Sequence, residues 1–155
     1  MKFSTIAVAL GSAFATVASA FENIRSPDYQ FNVTSPLVNG TYITGYILPY
    51  SFIPTSPTGV KLNLYLRSVN GFKNETIVAN DVSSSSFVYP ITVDGKVYNQ
   101  FSVNYRIPNT TIPGPYEAVF QNVNTNINTT IPIVISHPIF NTTSTASNRT
   151  TLIIL

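Results

Sequence analysis

One eight-residue stretch decides the fold most clearly: Val60-Lys61-Leu62-Asn63-Leu64-Tyr65-Leu66-Arg67. Its apolar residues occupy every second position, which places them on one face of an extended chain and the polar residues on the other. A helix would need apolar residues three and four positions apart, and the stretch has no such stripe. It therefore predicts a half-buried β-strand. If the leucines are buried, Leu64→Ala unfolds or severely weakens the domain, whereas Asn63→Ala changes stability by about 0.5 kcal/mol at most.

The same period of two recurs along much of the chain. Residues 97–107 alternate in the same way, with Asn99 as the one polar break in the inward set. Asp94-Gly95 separates that run from a β-rich run at 87–93, and such a two-residue linker is typical of a tight hairpin. Pro90 has no backbone donor, which predicts an edge strand or a bulge. Further strands are predicted at 30–34, 42–52 (broken by Gly45 and Pro49), 76–79, 116–123 and 129–135.

This succession of short strands and turns indicates an all-β fold. Seven or eight strands predict an immunoglobulin-like antiparallel β-sandwich over residues 29–136, with a small β-barrel as the alternative. Residues 21–28 form an N-terminal lead into that domain. Residues 137–155 form a Ser/Thr/Asn-rich tail that is expected to be flexible.

The first twenty residues have the pattern of a secretory signal. A basic start, Met1-Lys2, precedes an apolar run that reaches Val17, and Ala18-Ser19-Ala20 supplies a small-residue cleavage site. We expect residues 1–20 to be cleaved and the remaining chain to be secreted to the extracellular space. An uncleaved anchor is the alternative. No membrane span is expected, because the run is too short, and four C-terminal apolar residues are too few for a GPI anchor signal.

A secreted chain would meet the enzymes that attach N-linked glycans, and seven sequons are present. Their acceptors are Asn32, Asn39, Asn74, Asn109, Asn128, Asn141 and Asn148. An Asn/Thr-rich chain produces some sequons by chance, so we expect several of them, and not all, to be used.

Charge and cysteine content exclude whole classes of function. Only 9% of the residues are charged, the formal net charge is +2 and the basic residues are scattered. Binding to nucleic acid needs clustered Lys and Arg, so no nucleic-acid partner is expected. The chain has no cysteine, which excludes disulfides, thiolate metal sites and cysteine nucleophiles.

Catalytic residues are equally hard to find. The only histidine, His137, follows the last predicted strand, and one linker histidine supports neither a catalytic triad nor a metal site. A glycosidase-type pair would have to come from Asp81, Asp94 and Glu117. The turn explains Asp94, and the alternation predicts that Glu117 faces solvent. We therefore expect no catalytic, metal or cofactor-binding residues, and the chain is predicted not to be an enzyme.

Tyrosine is the one side chain that suggests binding. Nine occur, without any tryptophan, and Tyr65 and Tyr98 fall on the polar faces of their strands. Exposed tyrosine rings offer a rigid, amphipathic surface for stacking on sugars. The alternative is that both are ordinary strand residues, because tyrosine is favoured in strands.

Turn and strand motifs over residues 35–136 resemble a fungal family. Ser35-Pro36, Asn39-Gly40-Thr41 and Gly45 are followed later by Tyr105-Arg106-Ile107-Pro108 and Pro113-Gly114-Pro115-Tyr116. This order resembles the Ser/Thr-rich, GPI-anchored cell-wall proteins, whose N-terminal Ig-like domain is similar to that of the yeast β-1,6-glucan synthesis proteins. The chain departs from them in lacking the long Ser/Thr stalk and the GPI signal.

The resemblance implies a secreted, N-glycosylated and non-catalytic β-sandwich protein. Its role would be structural or adhesive, at the fungal cell wall or in the extracellular matrix, and its partners would be wall polysaccharide or other wall proteins. A carbohydrate-binding module for β-glucan that uses Tyr65 and Tyr98 is the alternative.

Overall fold

The computed structural model describes residues 23–55, 59–70, 75–84, 88–93 and 95–139. The predicted signal peptide and most of the predicted tail lie outside the described residues. The described chain forms ten strands: β1 (Ile24–Arg25), β2 (Phe31–Ser35), β3 (Gly40–Ile43), β4 (Ile47–Pro54), β5 (Lys61–Ser68), β6 (Glu75–Ser83), β7 (Val88–Val93), β8 (Lys96–Arg106), β9 (Gly114–Asn122) and β10 (Asn128–Ser136). No helix that could cross a membrane occurs in these ranges.

The strands form two five-stranded sheets packed face to face. Sheet 1 has the order β1-β2-β4-β8-β7 and sheet 2 the order β3-β10-β9-β5-β6. In sheet 1, β2, β4, β8 and β7 take the places of immunoglobulin strands A, B, E and D, while β10, β9 and β5 in sheet 2 take those of G, F and C. The predicted immunoglobulin-like β-sandwich is therefore confirmed, and the alternative of a barrel is wrong.

Two details of the strands differ from the prediction. The described residues form ten strands instead of seven or eight, because the two-residue β1 is an additional strand and β3 and β4 are separate strands. The break predicted at Gly45, where the φ is +83°, is confirmed, whereas the break predicted at Pro49 is wrong, since β4 continues through that residue. The sandwich is also not wholly antiparallel. β3 crosses to sheet 2 and pairs in parallel with β10, whereas the other described pairs are antiparallel.

The core lies between the two sheets, where the predicted strand β5 supplies three buried leucines. Leu62 and Leu64 are fully buried and Leu66 nearly so, which confirms the facing predicted from their alternation. They pack with buried side chains from both sheets: Phe31, Val33, Leu48, Tyr50, Phe52 and Phe101 from sheet 1, and Ala118, Phe120, Ile131, Ile133 and Ile135 from sheet 2. Burial of this continuous apolar surface is the main force that holds the sheets together.

A buried phenol joins the two sheets through a hydrogen bond. Tyr50 of β4 is fully buried, and its hydroxyl donates to the backbone carbonyl of Tyr65 in β5 over 2.9 Å. Burial, with a smaller contribution from Tyr105, raises the pKa of Tyr50 well above its usual value. The hydroxyl therefore stays protonated and remains a donor, so this polar group is buried with a partner.

The hairpin between β7 and β8, at one edge of sheet 1, also agrees with the prediction. Val93 of β7 pairs with Lys96 of β8, so that residues 94 and 95 form the connection, and Gly95 has a φ of +74°. Asp94 itself lies outside the described residues. β7, which contains Pro90, is an edge strand as predicted.

Asp28 ties the N-terminal segment to the loop between β9 and β10. Its Oδ2 accepts hydrogen bonds from Nδ2 of Asn122 at 2.8 Å and from Oγ1 of Thr125 at 2.7 Å. Burial acts to raise the pKa of the Asp28 carboxyl, but hydrogen bonds from Ser26, Thr125, the Gln30 backbone and Asn122 together lower it below its usual value of 3.8. The ionised carboxylate is therefore the form that the fold prefers.

The lowered pKa of Asp28 predicts an acid-sensitive contribution to stability. Unfolded Asp binds its proton more tightly than native Asp28, so this contribution is complete above the unfolded pKa and is lost as the pH falls through the native one. Between about pH 5 and about pH 2 we expect the wild type to lose more stability than Asp28→Asn. Urea midpoints measured across this range for both proteins test this, and identical pH profiles would contradict it.

Candidate functional site

The two tyrosines singled out from the sequence lie on opposite sides of the molecule. Tyr65 is on the outer face of sheet 2, because its neighbours Leu64 and Leu66 face the core. Tyr98 is on the outer face of sheet 1, since it alternates with the inward-facing positions of β8 and pairs with Ile91 of β7. The outer faces of two packed sheets point in opposite directions. The structure therefore does not bring Tyr65 and Tyr98 together in one site.

Tyr65 belongs to a polar patch that we call the Tyr65 patch. The hydroxyl of Tyr65 donates to Oε1 of Gln121 at 3.2 Å, and Nδ2 of Asn63 donates to the same oxygen at 3.2 Å. Beside them, Arg67 contacts Oε2 of Glu117 with Nε at 2.8 Å and with Nη2 at 2.7 Å. Glu117 thus faces outward as predicted, paired with an arginine. These five residues form a patch in which Gln121 binds Tyr65 and Asn63, and Arg67 binds Glu117.

A cleft at one end of the sandwich offers a second candidate surface. It has a volume of about 500 Å³, and we call it the Tyr46 cleft. Its lining residues are Thr44, Gly45, Tyr46, Ile47, Arg106, Asn109 and Pro138. An apolar surface with a few converging polar groups is typical of small-ligand sites, and the volume falls within their usual range.

The backbone around the Tyr46 cleft is held from both sides. The N–H of Gly45 donates to the carbonyl of Ile107 at 2.8 Å, and the N–H of Ile107 donates to the carbonyl of Tyr46 at 3.0 Å. On the other side, the N–H of Thr44 donates to the carbonyl of Ser136 at 2.9 Å. The turn between β3 and β4 is thereby attached to the ends of β8 and β10, so the cleft is formed before any ligand arrives.

The side chains of the Tyr46 cleft combine an exposed ring with polar groups. Tyr46 is 65% exposed and Ile47 is 49% exposed. Nε of Arg106 donates to the carbonyl of Gly45 at 3.1 Å, which fixes the guanidinium at the cleft wall. A ring face, a planar cation and an amide in one cleft suit an amphipathic ligand such as a sugar.

Gly45 is required by this geometry more strictly than the other turn glycine, Gly95. Both glycines have a positive φ, which a residue with a Cβ rarely adopts. At Gly45 an added Cβ would also overlap Oδ1 of Asn109, whereas at Gly95 it would meet no other atom. We expect Gly95→Ala to cost about 1 kcal/mol from backbone strain alone. Gly45→Ala should cost a little more, about 1.5 kcal/mol, because the exposed end of the Asn109 side chain must also move aside. Thermal unfolding of both variants measures the difference, and equal losses would show that Asn109 does not press on Gly45.

A groove of about 380 Å³ lies beside the loop that follows β8. Tyr105 and Tyr116 line it together with residues of the loop, among them Thr110 and Thr111. The hydroxyl of Tyr116 donates to the carbonyl of Ile112 at 2.8 Å. Burial, with a smaller contribution from Tyr116, raises the pKa of Tyr105. The Tyr105 phenol is therefore neutral and gives the groove no charge.

The structure describes four of the seven sequon acceptors. Asn39 is exposed in the turn before β3, Asn109 is exposed in the loop after β8, and Asn128 is exposed at the first residue of β10. Asn32 is half-buried in β2, where it pairs with both neighbouring strands, and its Oδ1 is buried without a hydrogen-bond partner in the described structure. Asn74, Asn141 and Asn148 lie outside the described residues.

The titratable residues considered as catalytic groups lie apart from one another. Nδ1 of His137 is 3.1 Å from Oγ1 of Thr44. Asp81 on β6 forms an ion pair with Lys61 at 3.1 Å, and Glu117 on β9 pairs with Arg67. Over the ranges that the structure describes, no group of three or more His, Asp or Glu side chains could hold a metal ion.

The sequence reasoning missed Tyr46. Tyr46 falls within the predicted strand at 42–52, directly after the break predicted at Gly45, and it was not among the tyrosines singled out for binding. The turn at Gly45 ends β3 at Ile43, and Tyr46 lies outside both strands with its ring exposed. Gly45 predicts the break itself, but a break in a strand does not show that the next side chain is exposed.

Comparisons with known proteins add two distant structural similarities. No protein-family model matches the chain, and no curated protein matches it. The PKD domain of an M14-like peptidase from a Thermoplasmatales archaeon is similar with a TM-score of 0.35 and 14% identity, covering 70% of this chain and 93% of that one. A lytic polysaccharide monooxygenase from Streptomyces lividans has a TM-score of 0.34 and 14% identity, covering 74% and 64%. Scores this low support no inference about activity, so the class of the protein, an immunoglobulin-like β-sandwich, rests on its strand order.

Proposed function

We propose that the chain is a secreted, N-glycosylated, non-catalytic β-sandwich protein with a structural or adhesive role at the fungal cell wall or in the extracellular matrix. The observation that carries this proposal is the exposure of three sequon acceptors, Asn39, Asn109 and Asn128, at turns, loops or strand ends. N-linked glycans are attached at accessible surface asparagines. The signal sequence at residues 1–20 would deliver the chain to the enzymes that attach them.

Glycans also fit the surface of this protein. Charged residues make up only 9% of the chain, and large apolar side chains such as Tyr46, Tyr89 and Ile112 are exposed. Large polar glycans would supply the solubility that charge supplies in most proteins. Surfaces that they leave uncovered would then be available for contact with wall polymers or other wall proteins.

Expression of the full chain in a fungal secretory host tests this proposal. We expect the protein in the medium or the wall fraction, with a mass that falls on enzymatic deglycosylation. A variant in which Asn39, Asn109 and Asn128 are all replaced by glutamine should lose most of that mass difference. Retention inside the cell without glycans would overturn the proposal, and so would the release of reducing sugar from β-glucan or chitin.

A second candidate, a carbohydrate-binding module, is favoured by the Tyr65 patch. Tyr65, Asn63 and Gln121 place an aromatic ring and two amides on one outer face, where they could contact the ring and hydroxyls of a sugar. Tyr98 lies on the other sheet and cannot contribute to the same surface.

The two tyrosines should therefore behave differently in a pull-down on insoluble β-glucan and chitin. Tyr65→Ala is expected to lower retention about 2- to 10-fold, the amount that corresponds to the loss of one stacking contact. Tyr98→Ala is the matched control and should leave retention unchanged. If the wild type is not retained, or if Tyr98→Ala alone abolishes retention, the Tyr65 patch is not the binding surface.

A further inference from the structure

We propose that the N-linked glycan of Asn109 folds back onto the Tyr46 cleft and that the ring of Tyr46 lies beneath its first sugar. This inference rests on the proposed N-glycosylation and assigns a structural role to one particular glycan. The molecule that occupies the cleft would then be covalently attached to the same chain.

The first support for this is the orientation of the acceptor amide. Asn109 lines the Tyr46 cleft. A Cβ built on Gly45 would overlap Oδ1 of Asn109 but would lie 4.0 Å from Nδ2. The oxygen is therefore turned toward Gly45 and the nitrogen away from it. Because Asn109 is exposed and lines the cleft, and an N-linked glycan is attached through Nδ2, the first sugar lies beside the cleft.

The cleft also offers the surface that a sugar would cover. Tyr46, directly before β4, and Ile47, the first residue of β4, are both exposed, whereas most of the following residues of that strand are buried. Pro138 adds a further apolar wall, and Arg106 adds hydrogen-bond donors. The C–H face of a sugar ring can cover the aromatic ring while its hydroxyls and N-acetyl group reach the guanidinium.

Because the sugar is covalently attached, even a weak contact is sufficient to keep it in the cleft. A sugar attached at the edge of the cleft has a high effective concentration there, so binding becomes an intramolecular event. Backbone hydrogen bonds already fix the turn between β3 and β4, so the cleft itself needs little further ordering when the sugar binds. Asn128, by comparison, lines neither the Tyr46 cleft nor the Tyr105–Tyr116 groove, so its glycan serves as a control.

A double-mutant cycle on the secreted full-length chain tests the inference. Thr111→Val removes the sequon while it leaves the Asn109 side chain in place, and Thr111→Ser keeps the sequon as a matched control. We expect Thr111→Val to lower the melting temperature by about 2–6 °C when Tyr46 is present. In the Tyr46→Ala background the same change should have no effect. Removal of the Asn128 glycan should change the melting temperature by the same amount in both backgrounds.

A spectroscopic measurement separates sugar stacking from a general effect of glycosylation. In the wild type, NMR signals of the first N-acetylglucosamine of the Asn109 glycan should be shifted upfield by the Tyr46 ring. Tyr46→Phe should retain this shift and Tyr46→Leu should abolish it. Trimming the glycan to this single sugar should leave both the shift and the melting temperature unchanged.

Three outcomes would overturn the inference. If glycopeptide mass spectrometry finds other sequons occupied but not Asn109, this inference fails while the proposed secreted glycoprotein stands. If Asn109 is occupied but the melting temperature falls equally in both backgrounds and the sugar signals are unshifted, the glycan does not occupy the cleft. If no sequon is occupied, the proposed function fails as well.

Discussion

Replacement of Phe120 by alanine is expected to destabilise the domain by about 3–5 kcal/mol. Phe120 of β9 is fully buried, and its ring centroid lies 5.3 Å from that of Tyr50 and 6.3 Å from that of Phe31. Both partners belong to sheet 1, so the Phe120 ring joins the two sheets at the centre of the core. Its loss removes transfer energy and aromatic contacts, and leaves a cavity between sheets that are too rigid to collapse into it.

Chemical unfolding monitored by circular dichroism measures this loss. Phe120→Leu is the matched control and should cost about 1.5 kcal/mol or less, because leucine refills much of the space. Val123→Ala, at an exposed position just beyond the end of the same strand, should change stability by about 0.5 kcal/mol at most. If Phe120→Ala and Val123→Ala lowered stability equally, Phe120 would not be part of the core.

The fold could be predicted from the sequence wherever one strand face is buried and the other is solvated. The alternation in β5 shows directly which side chains face inward, and Asp94-Gly95 identifies the hairpin between β7 and β8. The transfer of β3 to sheet 2 could not be predicted, because its pairing with β10 joins residues about ninety positions apart in the chain and leaves no local period.

The candidate site was less accessible to sequence reasoning than the fold. A period of two shows that Tyr65 and Tyr98 leave the core face of their strands, but it does not show which sheet each strand joins. That assignment depends on strand order, which places β5 in sheet 2 and β8 in sheet 1. The Tyr46 cleft depends on a turn, a loop and the end of β10, three segments that are distant in the sequence.

For Asn63, the predicted outward orientation is correct, but the predicted stability effect of its substitution leaves out two hydrogen bonds. The alternation places Asn63 outside the core, which predicts a nearly neutral alanine substitution. In the structure its Oδ1 accepts the backbone N–H of Asp81 at 3.0 Å, where the pairing of β5 with β6 is irregular and Asp81 has a φ of +55°. Its Nδ2 also donates to Gln121. We therefore raise the expected cost of Asn63→Ala from about 0.5 to about 1 kcal/mol.

Leu64→Ala is the second substitution with a large expected effect, a loss of about 2–5 kcal/mol. The Leu64 side chain is fully buried at the middle of β5. That strand is paired on both sides, and Leu64 lies opposite Phe120 of β9 and opposite Ala79 of β6. A register slip cannot rescue the variant, because a shift by one residue would turn Leu62 and Leu66 to solvent.

Urea unfolding of three variants along the same strand tests this facing. Lys61 and Asp81 form an exposed ion pair, and such pairs contribute about 0–1 kcal/mol, so Lys61→Ala should be close to neutral. Asn63→Ala should follow at about 1 kcal/mol, and Leu64→Ala should cost at least twice as much. The loss is a large share of the ~5–15 kcal/mol that stabilises a typical domain, so Leu64→Ala should also lower the yield of folded protein. Equal midpoints for Leu64→Ala and Asn63→Ala would mean that the two faces of β5 are wrongly assigned.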